Sequence, residues 1–226
     1  MLRADPQSPI LKPAMRVTFA IGVCNESREL ENLLHYLLDV EKVCENGDDV
    51  NVLVDTSKVD LATTNVLAWY GPRITTCERE FDGNFSEHRN FHIEQCTGDV
   101  IFMLDADEIP QSQLVHTARA FDTRNADILY VPRINICPGY TKEWLARHKF
   151  NVNNTGFINW PDFQGRIFRN DPKMIRWKGD VHEKLTGSER VGVLRADPEL
   201  ALWHVKSLQR QDKQNAHYDE LAGKTP

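Results

Sequence analysis

Paired and clustered cysteines are missing from this chain. Its five cysteines, Cys24, Cys44, Cys77, Cys96 and Cys137, are odd in number, lie far apart and form no CxxC pair. Neither a disulfide framework nor a cysteine-built zinc site is indicated, and buried free thiols in a reducing compartment fit best. Long apolar runs are missing as well; none approaches the ~20 residues that a membrane-spanning helix needs. Met1 to Met15 carries prolines and charges without the apolar centre of a secretory signal. The expectation is a cytoplasmic protein with a loose N-terminal arm over 1–15. The Asn-X-Ser/Thr triplets at Asn25, Asn84 and Asn153 then read as chance matches. Positive charge is in short supply: 27 basic residues stand against 33 acidic ones, a net charge of −6, which argues against bulk binding of polyanions. Glycine-rich phosphate loops are absent, since neither GxGxxG nor GxxxxGK[ST] occurs. A nucleotide's phosphates would therefore need a metal or basic side chains in place of a glycine cradle.

What is present is enough for one substantial domain: 226 residues, 41% of them apolar. The first strand is expected over Arg16–Cys24. A leucine-faced helix follows (Leu30, Leu33, Leu34, Leu37, Leu38), capped by Ser27. Val50–Val54 reads as a second strand, and Asp60 as the cap of a helix from Leu61 to Tyr70 that Gly71-Pro72 stops. Ile74–Cys77 is a short third strand, Phe85–Cys96 a helix, Val100–Leu104 a fourth strand. Leu114, Val115, Ala118 and Phe121 mark another helix, and Ile128–Val131 a further strand. Strand and helix thus alternate over the first 135 residues, which predicts an α/β fold: a mostly parallel sheet with helices on both faces. Past Asn135 the alternation stops. Thr141–Lys149 is a short basic helix. Arg166–Arg169 and Met174–Trp177 flank the turn signal Asn170-Asp171-Pro172-Lys173 and are expected to form a hairpin. The expected organisation is an arm (1–15), a first α/β half (16–135), a second half of the same domain (136–206) and a polar tail (207–226).

The stretch Val100-Ile101-Phe102-Met103-Leu104-Asp105-Ala106-Asp107-Glu108 concentrates the chemistry. Five apolar residues form a strand buried on both faces and run into two aspartates. In an extended chain Asp105 and Asp107 point the same way. Carboxylates converging at a strand end repel one another unless a cation lies between them, and oxygen ligands suit a divalent one. Asn25-Glu26 and Asp55 fall at the ends of earlier strands, so a parallel sheet would open all of them on one edge, where ligands bind in such folds. They could accept hydrogen bonds from a base, hold ribose hydroxyls or bind the metal. Asp55 alone reads equally well as a turn former before Thr56-Ser57.

Taken in order, six pieces resemble the family 2 glycosyltransferases of the GT-A, Rossmann-like fold: Phe19–Glu26, Val52–Ser57, His88-Arg89-Asn90 through Gly98 to Glu108, Pro161–Arg169, Val181-His182-Glu183 and Leu202-Trp203-His204. The second-half pieces are similar to a bacterial subgroup that includes lipopolysaccharide-core glucosyltransferases. The resemblance implies a nucleoside diphosphate sugar as donor, by family habit a UDP-sugar. Asn25, Glu26 and Asp55 would meet its base and ribose. Asp105 and Asp107 would be a DxD motif holding Mn2+ or Mg2+. Arg89 and Arg166 would lie near the phosphates, or serve ordinary salt bridges, as would Arg169. His204 would complete the metal shell or be a packed core histidine. For the base that takes the acceptor's proton, Asp162 matches the family position and Glu183 is the second candidate. The expected reaction is inverting, metal-dependent sugar transfer to a hydroxyl. The acceptor side is locally basic (Lys142, Arg147, Lys149, Lys173, Arg176, Lys178, Lys184), which suits a phosphorylated glycan core or a hydroxymethylated base in DNA. A sugar-phosphate nucleotidyltransferase would want a glycine-rich loop at Cys24–Arg28, and an aspartate-nucleophile phosphatase an early DxDx[TV]; neither is present. The alternatives to sugar transfer are the nucleotidyltransferase, despite that missing loop, and a non-catalytic module that binds nucleotide sugar or glycan on the same fold.

Overall fold

A computed structural model describes residues 15–179 and 183–221. The expected arm over 1–14, the Val181-His182 pair and the end of the tail, 222–226, lie outside the described residues. The strands are β1 (Val17–Val23), β2 (Asp49–Asp55), β3 (Thr75–Arg79), β4 (Val100–Asp105), β5 (Glu108–Pro110), β6 (Ile128–Ile136), β7 (Ile158–Arg169), β8 (Arg176–Lys178), β9 (Lys184–Thr186), β10 (Val191–Val193) and β11 (Leu202–Val205). The helices are α1 (Ser27–His35), α2 (Leu61–Tyr70), α3 (Phe85–Gln95), α4 (Ser112–Arg119), α5 (Lys142–His148) and α6 (Leu208–Leu221).

Nine strands make one sheet in the order β3-β2-β1-β4-β7-β6-β11-β5, with β10 beside β6. β3, β2, β1 and β4 run parallel, as do β6, β10 and β11. β7 lies antiparallel between β4 and β6. Period-two alternation divides the core. Phe19, Ile21, Val100, Phe102 and Leu104 face α1 and α4, while Ala20, Ile101 and Met103 face α3 and the β8–β9 pair. Helices therefore cover both faces, as the alternating sequence requires. Gly98 lets β4 start close beside β1: a Cβ there would lie 2.6 Å from Thr18 N, and the Gly98 N–H instead donates to Thr18 Oγ1 at 2.8 Å.

Two local expectations are corrected. Ser27 is the first helical residue, and Glu26 occupies the cap position with no side-chain cap bond. The Glu26 carboxylate turns back to accept from the N–H groups of Cys24 (2.8 Å) and Asn25 (3.0 Å). The chain does turn at Asn170–Lys173, but its flanks do not pair with each other. β7 keeps Ile167 and Phe168 in the central sheet, whereas β8 pairs with β9. Asn90 on α3 captures β8 by acting as a strand edge: its Nδ2 donates to Trp177 O at 3.0 Å and its Oδ1 accepts from Trp177 N at 2.9 Å. By contrast, Asp60 caps α2 as its position in the sequence indicates, accepting from Thr63 N at 2.7 Å.

Candidate active site

Parallel register brings the predicted strand ends together. Gly22 of β1 stands opposite Leu53 of β2 on one side and Asp105 of β4 on the other, so Asn25-Glu26, Asp55 and Asp105 share one edge. Asp55 is fixed at its turn by the N–H groups of Ser57 (2.8 Å) and Phe81 (3.1 Å). Burial pushes its pKa up, but these hydrogen bonds outweigh burial and hold it below the ordinary carboxylate value. Glu26 has little capacity left: its second oxygen takes the guanidinium of Arg210, reaching over from α6, at 3.0 Å.

The two aspartates do not point the same way. The chain turns at Ala106-Asp107, directly after β4, which breaks the extended geometry on which that expectation rested. Asp105 meets Arg89 (3.0 Å) and Arg166 (2.7 Å). Asp107 meets Lys206 (3.0 Å) and His204 (3.5 Å). For each aspartate burial opposes ionisation and the basic neighbours overcome it: the two arginines at Asp105, His204 followed by Lys206 at Asp107. Both pKa values lie far below the ordinary range.

From Asp105 an alternating chain of charges crosses the sheet. At one end Glu183 accepts from Arg89 Nε at 2.7 Å. Beyond Asp105, Nη2 of Arg166 is shared with Glu108, also at 2.7 Å. Arg133 then joins Glu108 (2.9 Å) to Asp162, on whose Oδ2 it places both Nε (2.9 Å) and Nη2 (2.8 Å). Asn135 and Gln164 complete the shell of Asp162 at 2.9 and 2.7 Å. Asp162 is thus an ionised carboxylate: burial raises its pKa, Arg133 and the amides lower it, and the lowering prevails. Both carboxylates considered as base, Asp162 and Glu183, are ends of this one chain.

Asn135 also sets His204. Because its Nδ2 donates to Asp162, its Oδ1 is the acceptor for His204 Nδ1–H at 2.7 Å. His204 therefore presents Nε2 to Asp107. A carboxylate and an imidazole nitrogen whose ring is fixed by the Asn135 amide make a donor set that suits a divalent cation. Asp107 and His204 fit that role, and Asp105 is turned onto guanidinium groups. Among the described residues no group of three or more His, Cys, Asp or Glu is gathered as a metal shell, so a cation here would take its further ligands from substrate or water.

Arg169, unlike Arg166, is not brought to the site. It pairs with Asp127 and Asp171 at the far end of β7. Sequence reasoning passed over Arg133, Asn135, Glu108, Lys206 and Arg210. A signal existed for the first two, which are polar residues two apart within the otherwise apolar run Ile128–Ile136. Glu108 directly follows the aspartate pair. Lys206 and Arg210 carry no pattern beyond following His204.

A family model for glycosyl transferase family 2 matches residues 18–179, well over half of the sequence. The chain belongs to glycosyl transferase family 2. Solved structures similar to this family 2 chain include Staphylococcus aureus TarS 1–349 in complex with UDP-GlcNAc, with a TM-score of 0.57 and 17% identity over 85% of this chain and 59% of that one. TarS 1–349 in complex with UDP gives a TM-score of 0.54 and 15% identity over 92% and 65%. The mannosyltransferase PcManGT from Pyrobaculum calidifontis, in complex with GDP-Man and Mn2+, gives 0.57 and 14% over 99% and 68%. These likenesses establish the fold, a GT-A, Rossmann-like α/β sheet. The chain spans about three fifths of the TarS 1–349 chain and 42% of the longer TarS chain. Among curated proteins no match is found. Among the described residues no helix is long and apolar enough to cross a membrane.

Proposed function

We propose that this family 2 chain transfers a sugar, with inversion, from a nucleoside diphosphate sugar to an acceptor hydroxyl, with a divalent cation held by Asp107 and His204. The observation that carries the reading is the Asn135-oriented His204 facing Asp107, on the sheet edge that also holds Glu26 and Asp55. Electrostatics support it. Asp105, Asp107, Glu108, Asp162 and Glu183 face Arg89, Arg133, Arg166 and Lys206, so the site alone is close to neutral. A diphosphate entering alone would make it strongly negative, so donor and cation belong together. When bound, the cation would supply Lewis-acid neutralisation of the departing diphosphate.

The chain's own residues do the rest. Asn25 and Asp55 line the base and ribose end, and Glu26 holds Arg210 there. Arg89 and Arg166 keep Asp105 ionised and stand beside the phosphates. Asp162 accepts the acceptor's proton; its low pKa keeps it unprotonated at neutral pH, and its shell fixes its direction. Attack opposite the leaving diphosphate inverts the anomeric carbon. For the acceptor we favour a glycan that carries phosphate. Lys178 and Lys184 stand directly opposite each other on β8 and β9, beside Glu183, and like charges so placed destabilise a strand pair until an anion joins them.

A thermal-shift series with UDP- and GDP-sugars, with and without Mn2+, tests the reading. A donor at a hundred times its Kd should stabilise the fold by about 2.7 kcal/mol. The stabilisation should need the cation. A flat response to every donor would defeat the proposal.

A further inference from the structure

We infer that Glu108 is the positioning residue that makes the donor and acceptor halves of the site act as one unit. This rests on the transferase reading above and adds a residue to it.

Glu108 is fully buried, with no exposed surface. A carboxylate there is stable only if its charge and its lone pairs are met. Oε2 accepts the N–H of Asp105 at 3.1 Å, and Oε1 accepts Nη2 of Arg166 at 2.7 Å and Nη1 of Arg133 at 2.9 Å. Each partner then serves a different half. Arg166 makes both its polar contacts through one nitrogen, Nη2, which lies between Glu108 and Asp105 Oδ2, while its Nε has no partner. Its place on the donor side therefore depends directly on Glu108. Arg133 uses Nη1 for Glu108 and turns Nε and Nη2 onto Asp162. Its two hydrogen bonds to Oδ2 of the base are aimed by the same carboxylate. Through the backbone Glu108 also stands opposite His204 in the β5–β11 pairing. Donor-side arginine and acceptor-side arginine thus both take their aim from one side chain that never meets solvent or substrate, and the backbone of the same residue pairs with the strand carrying His204.

The arginines separate the two halves experimentally, and Glu108 should not. Arg166→Lys is expected to raise the donor KM by about tenfold with little change in kcat. Arg133→Lys is expected to lower kcat by a similar factor with little change in donor KM. Glu108→Gln keeps the volume but replaces one acceptor oxygen with a donor, so it should move both parameters together. Glu108→Asp keeps the charge but is too short to reach the Asp105 N–H and both guanidiniums, so it should do the same in a protein whose charge balance is intact. Rates are taken per folded molecule, with cooperative melting as the check. If the folded Glu108→Gln or Glu108→Asp protein shows wild-type kcat and KM with only a lower Tm, Glu108 is merely structural and the inference fails. It also fails if only one parameter moves. If the wild-type protein itself transfers no sugar from any donor, the transferase reading fails instead.

Discussion

Replacing Asp162 with Asn removes one charge and almost no volume from the Arg133 end of the charge chain. The carboxylate is three-quarters buried, with 25% of its side chain exposed, and its Oδ2 takes Arg133 twice and Asn135 once. The amide keeps one acceptor oxygen, and Arg133 keeps Glu108, so the loss is that of a charged hydrogen bond and not of an abandoned buried ion. Such bonds contribute roughly 1.5–3 kcal/mol, which in a domain of this size lowers Tm by about 3–12 °C. The effect has a definite pH dependence. The folded-state pKa of Asp162 is depressed, because Arg133 and the amides overcome burial. Its stabilisation is therefore fully present above the unfolded value of about 4 and is lost as pH falls through the lower folded value. The gap in Tm between wild type and Asp162→Asn should be constant near neutrality and close as pH is taken below about 4. Activity should fall further than stability: loss of a general base costs about a hundredfold to ten-thousandfold in kcat, with donor KM nearly unchanged. Initial rates at saturating donor, together with melting curves across pH, measure both. A kcat within tenfold of wild type, or a collapse of donor affinity in its place, would refute the assignment of Asp162 as base.

Asp107→Ala should leave turnover near background even with saturating donor and Mn2+, since it removes the carboxylate that His204 and Lys206 face; near-normal turnover would end the metal assignment. Asn135→Leu should weaken Mn2+ binding by about 10–100-fold through loss of the hydrogen bond that orients His204, as read by titrating the donor-dependent thermal shift with Mn2+. Asp127→Asn should lower Tm through its contacts with Arg169, Arg190 and Ser188 while kcat and KM stay at wild-type values, because that cluster lies away from the site; a change in donor KM would return Arg169 to the phosphate-binding set. A gel-shift titration with duplex DNA should show no salt-sensitive complex, and its appearance would move the acceptor from glycan to nucleic acid.

The order of the elements and the edge on which the acids gather were legible because they depend on local pattern. Apolar runs of four to six residues that end in acids and alternate with helical patterns read as buried strands of an α/β sheet, and a parallel register then puts Glu26, Asp55 and Asp105 on one edge. What was not legible depends on distant pairing. The divergence of Asp105 from Asp107 arises because the chain turns at Ala106 to make β5, which is held by β11, some ninety residues further on. The failed hairpin at Asn170 has the same origin: the turn signal was sound, but α3 offered β8 a better edge through Asn90. Arg133 breaks an apolar run and Glu108 follows the aspartate pair, but nothing local pairs them; the sheet order sets them between Asp105 and Asp162.

The antiparallel strand β7 has a consequence for anyone dividing this chain. It lies inside the sheet, between β4 and β6, and carries Ile167 and Phe168, which pair with Phe102 and Ile101. A fragment ending near residue 135 would keep the whole alternating half of the sequence yet expose one side of β4, the most apolar strand, as an open edge. Unpaired apolar edges recruit other chains. Such a fragment should aggregate instead of presenting a working donor site, and co-expressing the remainder as a separate piece, so that β7 can insert, should restore solubility.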